Sequence, residues 1–151
     1  GDLVADGVEL ASRIADRYGL SAHFGLFDYN APGGELDQHI ENSVVFTHNS
    51  IEQIPYLRDE FLEYLIEKRV HCVVHLEPVS ELHGSDNMMH LLWKKYTEIN
   101  DYNRNLLSLL RKFEDIGKIR INAIMPHQLG LNAFNGCSII VWEPVAARGC
   151  S

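Results

Sequence analysis

The chain has few cysteines, no block of basic residues and no long apolar run, and each lack removes a class of function. No stretch approaches the roughly 18 consecutive apolar residues of a membrane-spanning helix. Against 21 Asp and Glu stand 13 Lys and Arg, scattered along the 151 residues, for a formal net charge of −8. Neutralising nucleic-acid phosphates requires a basic footprint, and so does a polybasic membrane anchor, so neither nucleic acid nor membrane is an expected partner. The start, GDLVADGVEL, is acidic and lacks the pattern of a secretory signal. Cys72, Cys137 and Cys150 are an odd number at wide spacing, with no Cys-x-x-Cys pair. Cys72 and Cys137 sit in or beside apolar runs, which suits reduced core thiols and a cytoplasmic chain. Neither a Gly-x-Ser-x-Gly elbow nor a P-loop is present, so hydrolase and nucleotide-phosphate readings find no support. Repeats, low-complexity tracts and linkers are also missing. With 46% hydrophobic and 23% charged residues the composition is that of one globular domain. The absence of an initiator Met and the abrupt start in a loop lead us to expect a fragment of a longer protein.

What is present begins with an amphipathic helix. Apolar residues recur at Val8, Leu10, Ala11, Ile14, Ala15 and Tyr18, with Asp6 and Glu9 as an acidic capping box and Gly19 as the stop. Ala22–Tyr29 is predicted to be a strand with Asp28 at its exit, and NAPGG (30–34) a turn. Leu36–Ile40 is a short helical passage. A helix marked by Leu57, Phe61, Leu62, Leu65 and Ile66 follows Pro55 and runs to about Arg69. Val70–Val79 is a strand with an apolar centre, leaving through His75, Leu76, Glu77 and Pro78. Ser85 or Asp86 caps a helical region from about Met88 to Ile116, which Asn100–Asp101 can split in two. Ile119–Met125 and Ser138–Trp142 are the last strands. Only about a dozen residues separate them, with no helical pattern, so they form an antiparallel hairpin rather than a parallel crossover.

The centre of interest is Ser43–Pro55, SVVFTHNSIEQIP. Val44–Phe46 is strand-like, and the composition then flips to Thr47, His48, Asn49, Ser50, Glu52 and Gln53. In open α/β sheets ligands bind outside the carboxyl ends of the strands, and a strand that empties into hydroxyl, imidazole, amide and carboxylate groups suits that place. The alternative is a plain strand–turn–helix connection in which Asn49 or Ser50 caps the next helix. Alternating elements imply an α/β fold: a mostly parallel sheet with helices on both faces and a C-terminal antiparallel hairpin.

The pieces GDLVADGVELA, FGLFDYN, FTHNSIEQIP, HLEPVSEL and SIIVWEP, in this order of elements, resemble the family of putative bacterial sugar O-methyltransferases, class I S-adenosylmethionine-dependent enzymes with a Rossmann-like sheet. They span nearly the whole chain. Residues 1–151 would be the carboxyl-terminal two-thirds of such a domain, truncated at the amino end. The resemblance implies S-adenosylmethionine as cofactor and a small-molecule or glycan hydroxyl as acceptor. It implies Asp2 as the ribose-binding acid, with a plain terminal Asp as the alternative. Asp28 is implied for the adenine amino group, and Phe27 and Tyr29 for the adenine face, with core packing as the alternative for both rings. Thr47, His48, Asn49 and Ser50 would lie near the methionine part of the cofactor and the transferred methyl. Catalysis would fall to His48 as base, with Glu52 or Glu77 orienting it or binding acceptor hydroxyls. Glu52 would face His48 across one helical turn. His127, in the loop of the terminal hairpin, would close over the acceptor beside Glu77. His75, inside a strand, reads better as a satisfied core histidine. The resemblance also allows a divalent ion, with His75, Glu77 and His83 as its conceivable ligands; His71 and His75 stand about 13 Å apart on a strand, so no metal ligands are assigned. One family feature is missing: the glycine-rich loop after the first strand is supplied neither by Gly33–Gly34 nor by Gly130 with Gly136. Two other readings remain, a non-catalytic α/β ligand-binding or assembly module and part of a (β/α)8 barrel.

Overall fold

The computed structural model describes residues 1–84, 87–129 and 136–145. Among the described residues four strands form one mixed sheet, with one parallel and two antiparallel pairings where a mostly parallel sheet was expected. They are β1 (Val44–His48), β2 (Cys72–Glu77), β3 (Ile119–Leu129) and β4 (Cys137–Pro144), in the spatial order β1-β2-β4-β3. β1 and β2 run parallel with Thr47 opposite His75. β4 is antiparallel to both its neighbours, placing His75 opposite Ile140 and Ile124 opposite Ile140 on the other side. The expected terminal hairpin is therefore present, and its last strand lies inside the sheet. It follows that β1, β2 and β3 all point their carboxyl ends at one rim.

Among the described residues five α-helices accompany the sheet: α1 (Ala5–Tyr18), α2 (Asp37–Ile40), α3 (Asp59–Glu67), α4 (Met88–Ile99) and α5 (Leu106–Asp115). Side chains at every second position of a strand share a face, and one face carries the core. There Val73, Ile140 and Trp142 pack with Phe61, Leu62 and Leu65 of α3 and Leu106, Leu110 and Phe113 of α5. On the opposite face of β1, Val44 and Phe46 are 62% and 71% exposed. The helices expected on both faces thus build their main core on one, and among the described residues α1 buries only Ala15 and α4 none.

Several local expectations are corrected. Gly19 does end α1, in the left-handed region at φ 64, but the N-cap is Val4 and no side chain caps it. The helix starts at Ala5, so Asp6 falls in the first turn, where its charge suits the helix dipole without capping. Ala22–Tyr29 is not a strand of the sheet: it makes a single parallel bridge, Leu26 to Asp2, because Asp2 alone offers it backbone partners. Its aromatic residues Phe27 and Tyr29 pack against the core instead. The helix after Pro55 begins only at Asp59. The long helical region does split, with Asp101 at φ 53 between α4 and α5. Ser85 and Asp86, Gly130 and Cys150 lie outside the described residues; the observed cap of α4 is Asn87, whose side chain accepts the His90 N–H at 2.9 Å. β3 runs on past Met125 through Pro126 and His127, with a register shift before Leu129. A proline donates no ladder hydrogen bond and is tolerated at such an irregularity.

Candidate functional site

A buried chain of polar groups crosses the sheet beneath its carboxyl rim. Trp142 Nε1–H donates to His75 Nε2 at 2.9 Å, and His75 Nδ1 lies 2.9 Å from Thr47 Oγ1. Indole is a donor only, so His75 Nε2 is the acceptor and Nδ1 carries the proton given to Thr47. His75 is fully buried, and burial lowers its pKa to about 3, so the ring is neutral. It is the satisfied core histidine that the strand pattern suggests. The Thr47 hydroxyl in turn favours the charged form of the nearby Glu77 carboxylate.

Glu77 is also fully buried, and it reaches across the rim to the turn that follows β1. Its two oxygens accept the Ser50 amide at 3.1 and 3.2 Å, and the Ile51 and Glu52 amides at 3.3 and 3.4 Å. Burial raises its pKa, and the Thr47 hydroxyl and the three amides draw it part of the way back. Ser50 Oγ donates to Glu77 at 3.3 Å and lies 2.7 Å from the Tyr29 hydroxyl. The donors at the mouth of the 3-10 turn Ile51–Gln53 are thereby satisfied from a neighbouring strand. Asn49, at φ 48, makes the sharp exit from β1 and accepts the Cys137 thiol at 2.9 Å. Burial raises the Cys137 pKa, with the Glu77 and Glu52 carboxylates adding to it, so the thiol stays a donor.

Beside this rim opens a cleft of about 510 Å³, within the size range of small-molecule sites. Phe27, Tyr29, Thr47, His48 and Ser50 line it, together with the β1 edge. Phe27 stands edge-on to Tyr29 at 5.4 Å, and Tyr29 edge-on to Phe61 at 5.0 Å, so the aromatic wall is braced by the core. His48 is exposed, and among the described residues nothing hydrogen-bonds its ring.

Five of the eleven residues expected at the site thus meet in one cleft, namely Phe27, Tyr29, Thr47, His48 and Ser50. Glu77 and Asn49 adjoin it from below as anchors of the β1 exit. Glu52 is not part of the cleft lining: the chain leaves β1 through left-handed Asn49 into a 3-10 turn, so the expected four-residue helical spacing from His48 does not hold, and Glu52 is buried with Gln53 Nε2 on its Oε1 at 3.2 Å. Asp2 and Asp28 lie outside the cleft lining. Asp2 accepts the Val4 amide at 2.9 Å and borders a smaller hollow of about 210 Å³ with Phe24 and Gly25. Asp28 accepts the Asn30 amide at 2.8 Å in a turn of its own making. His127 sits elsewhere on the rim, grouped with His83 and His90. Sequence reasoning passed over Ser50 as a link between Tyr29 and Glu77, although its polar run marks the place. Comparison with models of known protein families gives no match, and comparison with curated proteins gives none.

Proposed function

We propose that the chain belongs to an S-adenosylmethionine-dependent O-methyltransferase that acts on a sugar or related hydroxyl, with the cleft beside β1 as the methyl-transfer site. The observation that carries this reading is the convergence of aromatic wall, hydroxyls and the exposed His48 imidazole along β1 and its carboxyl end. The Rossmann-like family likeness supports it, and so does the reversed last strand of the sheet.

The residues fit such a cofactor in part. Phe27 and Tyr29 offer a flat apolar wall for a purine, and Asp2 and Asp28 each use one carboxylate oxygen on a nearby amide. The bound cofactor supplies an electrophilic methyl group on a sulfonium. His48 would take up the proton of an acceptor hydroxyl held in the cleft as that oxygen becomes methylated. Imidazole suits that task because its ordinary pKa lies near neutrality. Thr47 and Ser50 hold the β1 exit through His75 and Glu77, which keeps His48 on a rigid support. Glu77 acts here as an anchor that positions the loop.

Calorimetry of the full-length protein with S-adenosylmethionine tests the reading. Saturable binding is expected, and His48→Ala should leave that affinity within about twofold while depressing turnover by ~10²–10⁴-fold. Unchanged turnover removes His48 as the base. Failure to bind the cofactor at all favours the second reading, a non-catalytic α/β module; the engagement of Glu77 by backbone amides is the observation on its side.

A further inference from the structure

Away from the cleft, three histidines from three separate segments meet. His83 follows the 3-10 turn Ser80–Leu82, His90 stands in the first turn of α4, and His127 lies in the irregular end of β3. One ring nitrogen from each lies within 4.8 Å of the others. His83 is only 7% exposed. Its Nδ1 and the Nδ1 of His127 are buried and have no hydrogen-bond partner among the described residues. Leaving one such polar atom unsatisfied costs about 1–3 kcal/mol, and buried orphans of this kind are rare in folded proteins. Two of them in one cluster call for a ligand that accepts nitrogen lone pairs.

The supports of the three rings are firm. Asn87 holds the first turn of α4 by accepting the His90 amide at 2.9 Å. The His127 amide donates to Ser138 Oγ at 3.2 Å, and its backbone is left-handed at φ 54. Trp93 lies tilted against the group, its ring centre 4.3 Å from that of His83 and 4.7 Å from that of His127, and offers it an apolar wall. Among the described residues no carboxylate belongs to the cluster. A set of three imidazole nitrogens favours borderline-soft divalent ions over magnesium or calcium, which prefer oxygen ligands.

We propose that His83, His90 and His127 bind one divalent transition-metal ion of the zinc class, in a three-histidine site whose fourth position is open to water or a ligand. The site is independent of the methyl-transfer reading and uses none of the residues of the β1 cleft. Metal–nitrogen bonds of roughly 2.0–2.1 Å in a tetrahedron bring the nitrogens to about 3.3 Å apart. The triad must therefore contract from separations of up to 4.8 Å. The rings of His83 and His127 stack nearly parallel, at 7° and 4.8 Å between centroids. A metal lies in the plane of each imidazole it binds, so these two rings must rotate out of parallel.

The test uses tag-free protein stripped with a chelator and titrated with Co²⁺, then with Zn²⁺. One Co²⁺ per chain should bind with the intense visible absorption of a four- or five-coordinate site, and Zn²⁺ should bleach it. His127→Asn keeps a residue that tolerates the left-handed backbone, and His90→Ala changes a half-buried helix position. Each should weaken Co²⁺ binding by more than the roughly 10–100-fold typical of losing an outer-shell partner. His71→Ala, an exposed histidine outside the group, should leave the affinity unchanged. The proposal is overturned if wild-type protein shows no saturable Co²⁺ or Zn²⁺ binding, or if either triad variant binds Co²⁺ as tightly as wild type.

Discussion

His75 commits both ring nitrogens to the interior, one accepting from Trp142 and one donating to Thr47. A histidine held neutral in this way makes stability depend on pH. The unfolded ring takes up a proton near its ordinary pKa of about 6.5, whereas the folded ring resists down to about 3. Between those values the unfolded state binds more protons, so stability is complete above about pH 6.5 and falls as the pH drops toward 3. At about pH 5 the loss from this residue comes to roughly 2 kcal/mol. His75→Gln can keep both hydrogen bonds without the charge. Urea unfolding at about pH 7.5 and pH 5 should therefore show a loss smaller by about that amount in the variant. His83, whose pKa burial lowers to about 4, leaves a residual slope. Equal losses in the two proteins would show that His75 does not carry the dependence. The role of His75 was legible in the sequence, since the run Cys72–Glu77 leaves it on the buried face of a strand. The meeting of His83, His90 and His127 was not, because no local pattern relates a loop, a helix start and a strand end.

Among the elements, the exit of β1 depends most on its neighbours. Its turn receives no side-chain cap of its own, and Glu77 supplies the missing acceptor from β2. Removing that carboxylate leaves three amides short of a partner, each worth about 1–3 kcal/mol if it stays buried. Glu77→Ala should accordingly cost about 3 kcal/mol or more, and amide hydrogen exchange at Ser50, Ile51 and Glu52 should quicken in the variant. Unaltered exchange there would mean that the turn holds itself. The same device recurs at the start of α5, where Glu81 accepts the Leu107 and Ser108 amides at 2.6 and 2.8 Å and Asn103 accepts that of Leu106 at 2.9 Å. Sequence spacing reveals caps within a few residues, as at Gly19, but Glu77 and Glu81 cap from 25 or more residues away. The predicted strand at Ala22–Tyr29 failed for a related reason: residue types favour a strand, yet only a neighbouring backbone makes one.

Taken whole, the molecule has an uneven sheet. One face shares a core with α3 and α5, while Val44 and Phe46 stand largely exposed on the other. Substitutions on the two faces should differ sharply in effect. Ile140→Ala, at a fully buried site, should cost about 2–5 kcal/mol, and Phe46→Ser should stay within about 0.5 kcal/mol by urea unfolding. Comparable losses would mean that the β1 face is covered in solution. The antiparallel hairpin was foreseeable because too few residues link its strands for a helical crossover. The one-sidedness was not, since apolar alternation marks an inward face without counting the helices that cover it. The positions of the two tryptophans give the molecule a pair of optical reporters. Trp142 is sealed in the core with its indole nitrogen bonded to His75, and Trp93 rests against His83 and His127. Zinc added to the native protein should alter the emission of Trp93 and leave that of Trp142 unmoved, and mild acid that melts the core should do so through Trp142. A single fluorimeter can then tell ligation at the rim from loosening of the interior.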